Sequence, residues 1–208
     1  MAEVAINKRL NLVIPIDSDS GKIWIHSTPV SREIFESNYL LLVKTLSNLY
    51  GNGIGPAMAP RVASFVLKDT AKEMDDKKDV SADFLQEVYR LSNFLMPNPD
   101  GRGWRTVPFS EAKNRNMVDA TSISEVENAI IYFTVASALH LRKELPMAYQ
   151  GLKSIWDAET TSLNVTQYGN SLTTLTPGES TGEKPIPVAN IGAPTPPSVV
   201  ARLSSIPS

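Results

Sequence analysis

Apolar and polar residues alternate near the start of the chain, a pattern typical of β-strands with one buried face. In residues 10–16 every second position is leucine or isoleucine, and residues 22–26 repeat the alternation around Trp24. The residues between them, 17–21, read Asp-Ser-Asp-Ser-Gly, and such aspartate and glycine residues favour a tight turn. The pattern therefore predicts a β-hairpin. Pro15 has no backbone N–H to donate, which predicts that the first strand lies at a sheet edge.

From Ser31 onward the apolar residues recur every three or four positions, which is the period of an amphipathic helix. Ser31 is a suitable N-cap for a long helix that ends at Tyr50, because its hydroxyl can accept a bond from a free backbone N–H. Further helices are predicted at about 56–73, at 81–95 with Ser81 or Asp83 as the N-cap, at 109–117, from Ser122 or Ser124 to Leu141, and at 146–156. Residues 98–108 are predicted to form a loop whose Trp104 anchors on the core.

Two overlapping capping boxes mark the predicted helix start near Ser122. In a capping box, the side chains of a serine at the N-cap and of a glutamate three residues later each accept a hydrogen bond from the backbone N–H of the other residue. Ser122 with Glu125, and Ser124 with Glu127, both have this spacing. Both glutamates are therefore interpreted as helix-start residues rather than as catalytic carboxylates.

The composition shifts after Asp157 toward serine, threonine, asparagine and proline. Residues 171–208 contain seven of the 15 prolines and only four charged residues. Such a segment buries too little apolar surface to offset the entropy lost on ordering. The predicted organisation is an N-terminal β-hairpin segment (1–30) packed on a helical domain (31–160), followed by a Ser/Thr/Pro-rich flexible tail (161–208). The fold class is mainly α, with five or six helices, the small hairpin and a disordered C-terminal tail.

Composition excludes several kinds of chemistry. The 208 residues include no cysteine, which rules out disulfides, thiolate catalysis and cysteine zinc sites. Two histidines, His26 and His140, leave little scope for a metal site or a histidine-based triad. A net charge of −2 argues against nonspecific nucleic-acid binding. No apolar run approaches the roughly 20 residues of a membrane span. We therefore expect no catalytic, cofactor or metal site, no enzymatic activity, and neither nucleic acid nor membrane as partner.

Two motifs superficially resemble ligand-binding loops. The glycine-rich segment 51–56 lacks the Gly-Lys-Ser/Thr ending of a phosphate-binding loop and follows a helix rather than a strand, which favours a helix–helix connection. Asp17 and Asp19 have the spacing that begins a calcium loop, but the bidentate glutamate further along is absent. Both segments are predicted to be ordinary connections.

Three stretches, taken in order, resemble a known family. They are Gly-Ile-Gly-Pro followed by Ala-Pro-Arg-Val-Ala-Ser (53–64), the helix Glu-Val-Glu-Asn-Ala-Ile-Ile-Tyr-Phe-Thr-Val-Ala-Ser-Ala-Leu-His (125–140), and Trp-Asp-Ala-Glu-Thr-Thr-Ser-Leu-Asn (156–164). Together they are similar to the tail assembly chaperones of long-tailed bacteriophages. The resemblance covers about residues 10–175 and rests on overall pattern rather than on a catalytic motif.

The resemblance implies a non-enzymatic viral protein that acts in the host cell cytoplasm during virion morphogenesis. Such chaperones keep the helix-rich tape measure protein soluble until tail tube subunits polymerise around it, so the implied partners are the tape measure protein and the tail tube protein. Members occur in short and frameshift-extended forms, and the resemblance leaves open whether the protein is a homo-oligomer. The alternative is a structural virion protein whose C-terminal arm orders on neighbouring subunits.

Methionines are suited to binding varied apolar partners, because the side chain is flexible and polarisable. Five of them are candidates for such contacts, although ordinary core packing is the favoured interpretation for each one: Met58, Met74, Met96, Met117 and Met147.

Overall fold

The computed structural model of the protein describes residues 10–18, 21–75, 77, 79–140 and 144–172. Within these residues the chain forms five strands and eight helices. In chain order they are β1 (Asn11–Ser18), β2 (Gly21–Ser27), α1 (Arg32–Ser37), α2 (Tyr39–Gly51), α3 (Ala59–Met74), α4 (Ala82–Arg90), β3 (Ser92–Pro97), β4 (Trp104–Pro108), α5 (Phe109–Asn114), α6 (Ala120–Leu139), α7 (Leu145–Trp156), β5 (Glu159–Thr161) and α8 (Val165–Ser171).

The strands form one sheet in the order β4-β3-β2-β1-β5, and all neighbours are antiparallel. The predicted hairpin is confirmed: Ser18 pairs with Gly21, whose φ of 102° suits glycine rather than a residue with a side chain. β5 pairs with β1 only along Asn11–Val13. The prediction that β1 lies at a sheet edge is wrong, because β1 lies between β2 and β5. Pro15 lies beyond the three residues that pair with β5, so its missing N–H costs no described ladder bond on that side.

The predicted fold class, mainly α with a small hairpin, is wrong. The fold is α+β with a five-stranded antiparallel sheet. The helix predicted at 81–95 ends at Arg90, and β3 follows it; the loop predicted at 98–108 contains β4. Phe94 and Leu95 are both buried although they point to opposite faces of β3. A strand covered on both faces has no alternation of apolar and polar residues, so its pattern does not differ from that of a buried helix.

Helix α6 is the centre of the core. Twelve of its residues between Ile123 and Ala136 are buried, and α2, α3 and α7 pack around it. A helix that is apolar on nearly every face is expected only where neighbours surround it. The inner face of the sheet, with Ile14, Ile25 and Phe94, closes the same apolar cluster.

Local hydrogen bonds set the helix ends. Ser31 is confirmed as an N-cap, since its hydroxyl accepts the N–H of Ile34 at 3.3 Å. The single helix predicted from Ser31 to Tyr50 is wrong, because the chain breaks at Asn38. The Asn38 amide donates to the carbonyl of Ile34 at 2.9 Å, and such local bonding competes with the helical ladder.

The capping boxes predicted at Ser122 and Ser124 are also wrong. Helix α6 begins one turn earlier, where the Asp119 carboxylate accepts the backbone N–H of Ser122 at 2.9 Å. An aspartate at this position satisfies a free donor and interacts favourably with the helix dipole. Glu125 and Glu127 therefore lie inside the helix rather than at its start.

Removing the Asp119 carboxylate tests its assignment as the N-cap of α6. We expect Asp119→Ala to lower the free energy of unfolding by about 1 kcal/mol, the usual effect of removing an N-cap. Ser124→Ala, at one of the two caps predicted from sequence, is the matched control and should change the free energy of unfolding by less than about 0.5 kcal/mol. Urea unfolding of both variants measures the difference, and equal effects would contradict the assignment.

Part of the segment predicted as a flexible tail is folded. Thr161 ends β5, and α8 begins with a capping box in which the Asn164 and Gln167 side chains each accept a backbone N–H of the other residue. Helix α8 covers the outer face of the sheet, where Tyr168 packs with Val13 and Leu95. The predicted tail boundary at 161 therefore falls within folded chain, and residues 173–208 lie outside the described part of the structure.

Candidate binding groove

Glu127 is the most strongly perturbed carboxylate in the described residues. Its side chain is buried, and it accepts bonds from Lys68 Nζ at 2.5 Å, Lys113 Nζ at 2.9 Å and Ser64 Oγ at 2.8 Å. Burial alone would raise the pKa of this carboxyl, but the bonds from the two lysines and the serine outweigh it and lower the pKa to about 2. Glu127 therefore stays ionised at neutral pH.

This cluster joins helices rather than forming a reactive centre. Lys68 belongs to α3, Lys113 to α5 and Glu127 to α6, so one carboxylate ties three helices together. Both carboxylate oxygens already accept donors, and a carboxyl with so low a pKa is a weak proton acceptor. Nearby, burial and the Glu127 charge raise the pKa of Tyr89, which keeps its hydroxyl protonated. The arrangement supports a structural role.

The two histidines lie in different surroundings. His26 is buried on the outer face of the sheet, and its Nε2 lies 3.0 Å from the carbonyl of Leu163; burial lowers its pKa. His140 is the C-cap of α6, with Nδ1 3.7 Å from a Glu144 carboxylate oxygen. Among the described residues no group of three or more metal-ligating side chains comes together.

An open groove of about 1420 Å³ lies between α1, the C-terminal end of α6, α7 and the edge of the sheet formed by β1 and β5. Its described lining is chiefly apolar: Leu10, Leu12, Pro29, Val30, Phe35, Ala138, Leu145, Pro146, Met147, Tyr149, Leu152 and Ala158. The residues come from five separated parts of the chain. The fold, rather than any local motif, creates this surface.

Two groove residues are unusually exposed for their type. The exposed fractions are 44% for Leu10 and 63% for Met147. The Phe35 ring meets that of Tyr39 edge-on at 5.7 Å between centroids, and Tyr39 is itself exposed, so the apolar surface continues beyond the groove. Exposed apolar surface of this kind is typical of a binding site.

The charges beside the groove are mainly basic. Arg32 forms an ion pair with Glu36 at 2.7 Å, whereas exposed Lys153 has no ion pair among the described residues. Glu159, the acidic residue of the lining, accepts the Tyr168 hydroxyl at 2.5 Å. Lys153 is therefore available to an acidic group on an occupant.

The groove has a volume comparable to that of a short helix. A helix about 10 Å in diameter with a pitch of 5.4 Å fills roughly 420 Å³ per turn, so the volume corresponds to about three turns. In helix-in-groove complexes an apolar stripe along one helix face packs against a lining of this kind.

Sequence reasoning identified one residue of this groove, Met147, as a candidate contact. Of the other candidate methionines, Met58 is exposed outside the groove, whereas Met96 is buried and Met74 and Met117 pack against the core. The role of Glu127 was missed, although a signal was present. Its neighbours on the helix face, Ile123 and Ile131, are apolar, and a carboxylate on an apolar face must be paired when buried.

No protein-family model, curated protein or solved structure matches this chain. In the part of the chain that the structure describes, no helix is both long and apolar enough to cross a bilayer.

Proposed function

We propose that this protein is a tail assembly chaperone of a long-tailed bacteriophage, and that its groove holds an apolar helical segment of the tape measure protein. The observation that carries the proposal is the open apolar groove with Met147 and Leu10 exposed in it. The sequence resemblance supplies the partner. The chaperone acts in the host cytoplasm and releases the tape measure protein as tail tube subunits assemble.

The groove favours a particular kind of segment. Its apolar lining suits a helix with an apolar stripe about three turns long. Lys153, which has no ion pair in the part of the chain that the structure describes, favours an acidic residue beside that stripe. A chaperone must also release its client, and an open groove of flexible side chains suits binding that is adaptable rather than permanent.

Co-expression with tape measure segments tests the proposal. We expect the parent protein to keep apolar tape measure segments soluble and to co-purify with them. Met147→Asp places a charge in the groove and should reduce the recovered tape measure segment by about tenfold or more, because a buried unpaired charge opposes binding.

Met58→Asp is the matched control. Met58 is 54% exposed, lies at the start of α3 and does not line the groove, whereas Met147 is in the first turn of α7. An aspartate suits both helix starts, so neither substitution should unfold the protein. Equal capture by the two variants would contradict binding in the groove, and no capture by the parent would contradict the chaperone function.

A further inference from the structure

Strand β4 forms one edge of the sheet. It pairs with β3 on one side, and no described strand pairs with its other side, which we call the outer edge of β4. An edge strand with unpaired backbone groups is a template for another strand. Several kinds of protein use such an edge to bind an extended peptide, which adds to the sheet.

The pairing register shows which backbone groups point toward the outer edge. Bonded and non-bonded residue pairs alternate along an antiparallel pair of strands. The Asn98 N–H donates to the Gly103 carbonyl at 3.0 Å, so this pair is a bonded one. Bonded positions then recur at every second residue of β4 after Gly103. Trp104 and Thr106 lie between them and direct their N–H and C=O groups outward.

Two prolines agree with this register. Pro97 is opposite Trp104 and Pro108 is opposite Asn93, and both pairs fall at non-bonded positions, where no N–H is needed between the strands. The outward groups of Trp104 and Thr106 are two residues apart, about 7 Å along the strand. This is the spacing at which an added strand presents its own bonding groups.

Packing on both faces of the sheet holds β4 in place. The Trp104 ring meets that of Trp24 edge-on, with 4.7 Å between centroids, on the face where α8 contacts β4. Val107 is buried in the core on the opposite face. Because the strand is already formed, a partner does not have to order it on binding.

The charges of this hairpin favour an acidic partner. Arg102 and Arg105 are exposed, and neither has an ion pair within the described chain, whereas Arg115 of α5 pairs with Glu111 at 3.0 Å. Asp100 accepts the backbone N–H of Arg102 at 3.0 Å. A second copy of β4 at this edge would bring arginines of both copies together, and like charges across a sheet are unfavourable. An acidic strand gains an attraction instead.

We propose that the outer edge of β4 binds an extended acidic segment of a partner protein as an additional strand. The segment bonds to the backbone of Trp104 and Thr106 and places a glutamate or aspartate opposite Arg105. Arg105 is at a non-bonded position of the new pair, where opposed Cα atoms are only about 4.5 Å apart, so the two side chains are close. The groove lies beside β5 at the other edge of the sheet, and this second site does not depend on the function proposed for the groove.

Amide hydrogen exchange of the full-length chain, measured by NMR, tests whether the outer edge is open. We expect the N–H groups of Trp104 and Thr106 to exchange at least about tenfold faster than those of Arg105 and Val107, which bond to β3. Equal protection of all four in dilute protein would show an edge that is already covered and would overturn the proposal. Protection that rises with protein concentration would identify a second copy as the occupant and would also overturn it.

A synthetic peptide tests the chemistry of the partner. The probe is the capped peptide Thr-Glu-Val-Glu-Val-Glu-Thr, and its control has lysine at each glutamate position. With the acidic peptide in excess, exchange at Trp104 and Thr106 should slow by about tenfold or more, while exchange at Val107 stays unchanged. Protection by neither peptide, or equal protection by both, would overturn the proposal.

Charge reversal at the edge tests the role of Arg105. Arg105→Glu should weaken binding of the acidic peptide by about fivefold or more and strengthen binding of the lysine peptide, as measured by NMR titration. Arg61→Glu is the matched control, because Arg61 is an exposed residue of α3 and the change in net charge is the same. Equal weakening by both variants would reveal a general charge effect and would contradict an ion pair at β4.

Discussion

Replacing Glu127 by alanine is expected to lower the free energy of unfolding by about 2–3 kcal/mol, because it removes the charge-assisted hydrogen bonds of a buried carboxylate while the two lysines, 42% and 44% exposed, stay partly solvated. The substitution leaves Lys68 and Lys113 facing each other without their shared carboxylate, and it removes the acceptor of the Ser64 hydroxyl. Because these residues belong to three different elements, the loss reaches the packing of α3 and α5 against α6. Urea unfolding at neutral pH measures the effect.

The same carboxylate makes stability depend on acid. Its pKa is about 2 in the folded protein against an ordinary 4.5, so the folded state favours the ionised form. The stabilisation is complete above about pH 4.5 and is lost as the pH falls toward 2. This stabilisation amounts to about 3 kcal/mol, because each unit of pKa difference between the folded and unfolded states corresponds to about 1.36 kcal/mol. The free energy of unfolding of Glu127→Gln should therefore decline less steeply than that of the parent between these pH values.

Glu125→Gln is the control on the same helix. Glu125 is exposed, and its contact is a 3.4 Å bond from the Trp156 indole, so its loss should change the free energy of unfolding by less than about 0.5 kcal/mol. If Glu127→Gln and the parent lose stability in parallel with falling pH, the lysine-bound carboxylate does not have the role assigned to it.

Gly151→Ala is expected to destabilise the protein by about 2–3 kcal/mol, although alanine is the better helix former. Gly151 is buried in α7 where the helix approaches the start of α3. A Cβ there would overlap the Pro56 carbonyl oxygen, which is backbone and cannot rotate away, and would lie 3.2 Å from Pro60 Cγ. Relief requires α7, which forms one wall of the groove, to move. The midpoint temperature of thermal unfolding and the amount of captured tape measure segment should therefore both decrease.

Gly51→Ala separates the clash from the loss of a glycine. Gly51 ends α2, and no atom lies within 4 Å of the position of an added Cβ. Its substitution should be neutral or slightly stabilising, since it restricts the unfolded chain. A similar loss of stability at both positions would contradict close packing as the reason for Gly151.

Sequence patterns identified the elements whose buried and exposed faces differ. The hairpin, α3 and α7 were predicted because apolar residues such as Leu67 and Leu152 recur at the period of their element. β3 was missed because Phe94 and Leu95 are buried on opposite faces. β4 was missed because Arg105 and Thr106 at this edge strand are both exposed, so it has no apolar face over most of its length.

The candidate site was less predictable than the fold. The groove joins Leu10, Phe35 and Met147, which are far apart in sequence, so no local pattern marks it. Residues 165–171 were assigned to a flexible tail on composition, yet their position against Val13 and Leu95 supplies the burial that composition alone does not indicate. Both the groove and the folding of α8 depend on contacts between residues that are distant in sequence.

The most direct test of the proposed chaperone role is to measure the copy number of this protein in mature virions of the phage that the proposal implies. Quantitative mass spectrometry would compare purified mature virions with tape measure complexes isolated from infected-cell lysate. A transient chaperone should be abundant and bound to the tape measure protein in the lysate, and absent from the virion. A fixed copy number in mature virions would contradict a transient chaperone and identify a structural component.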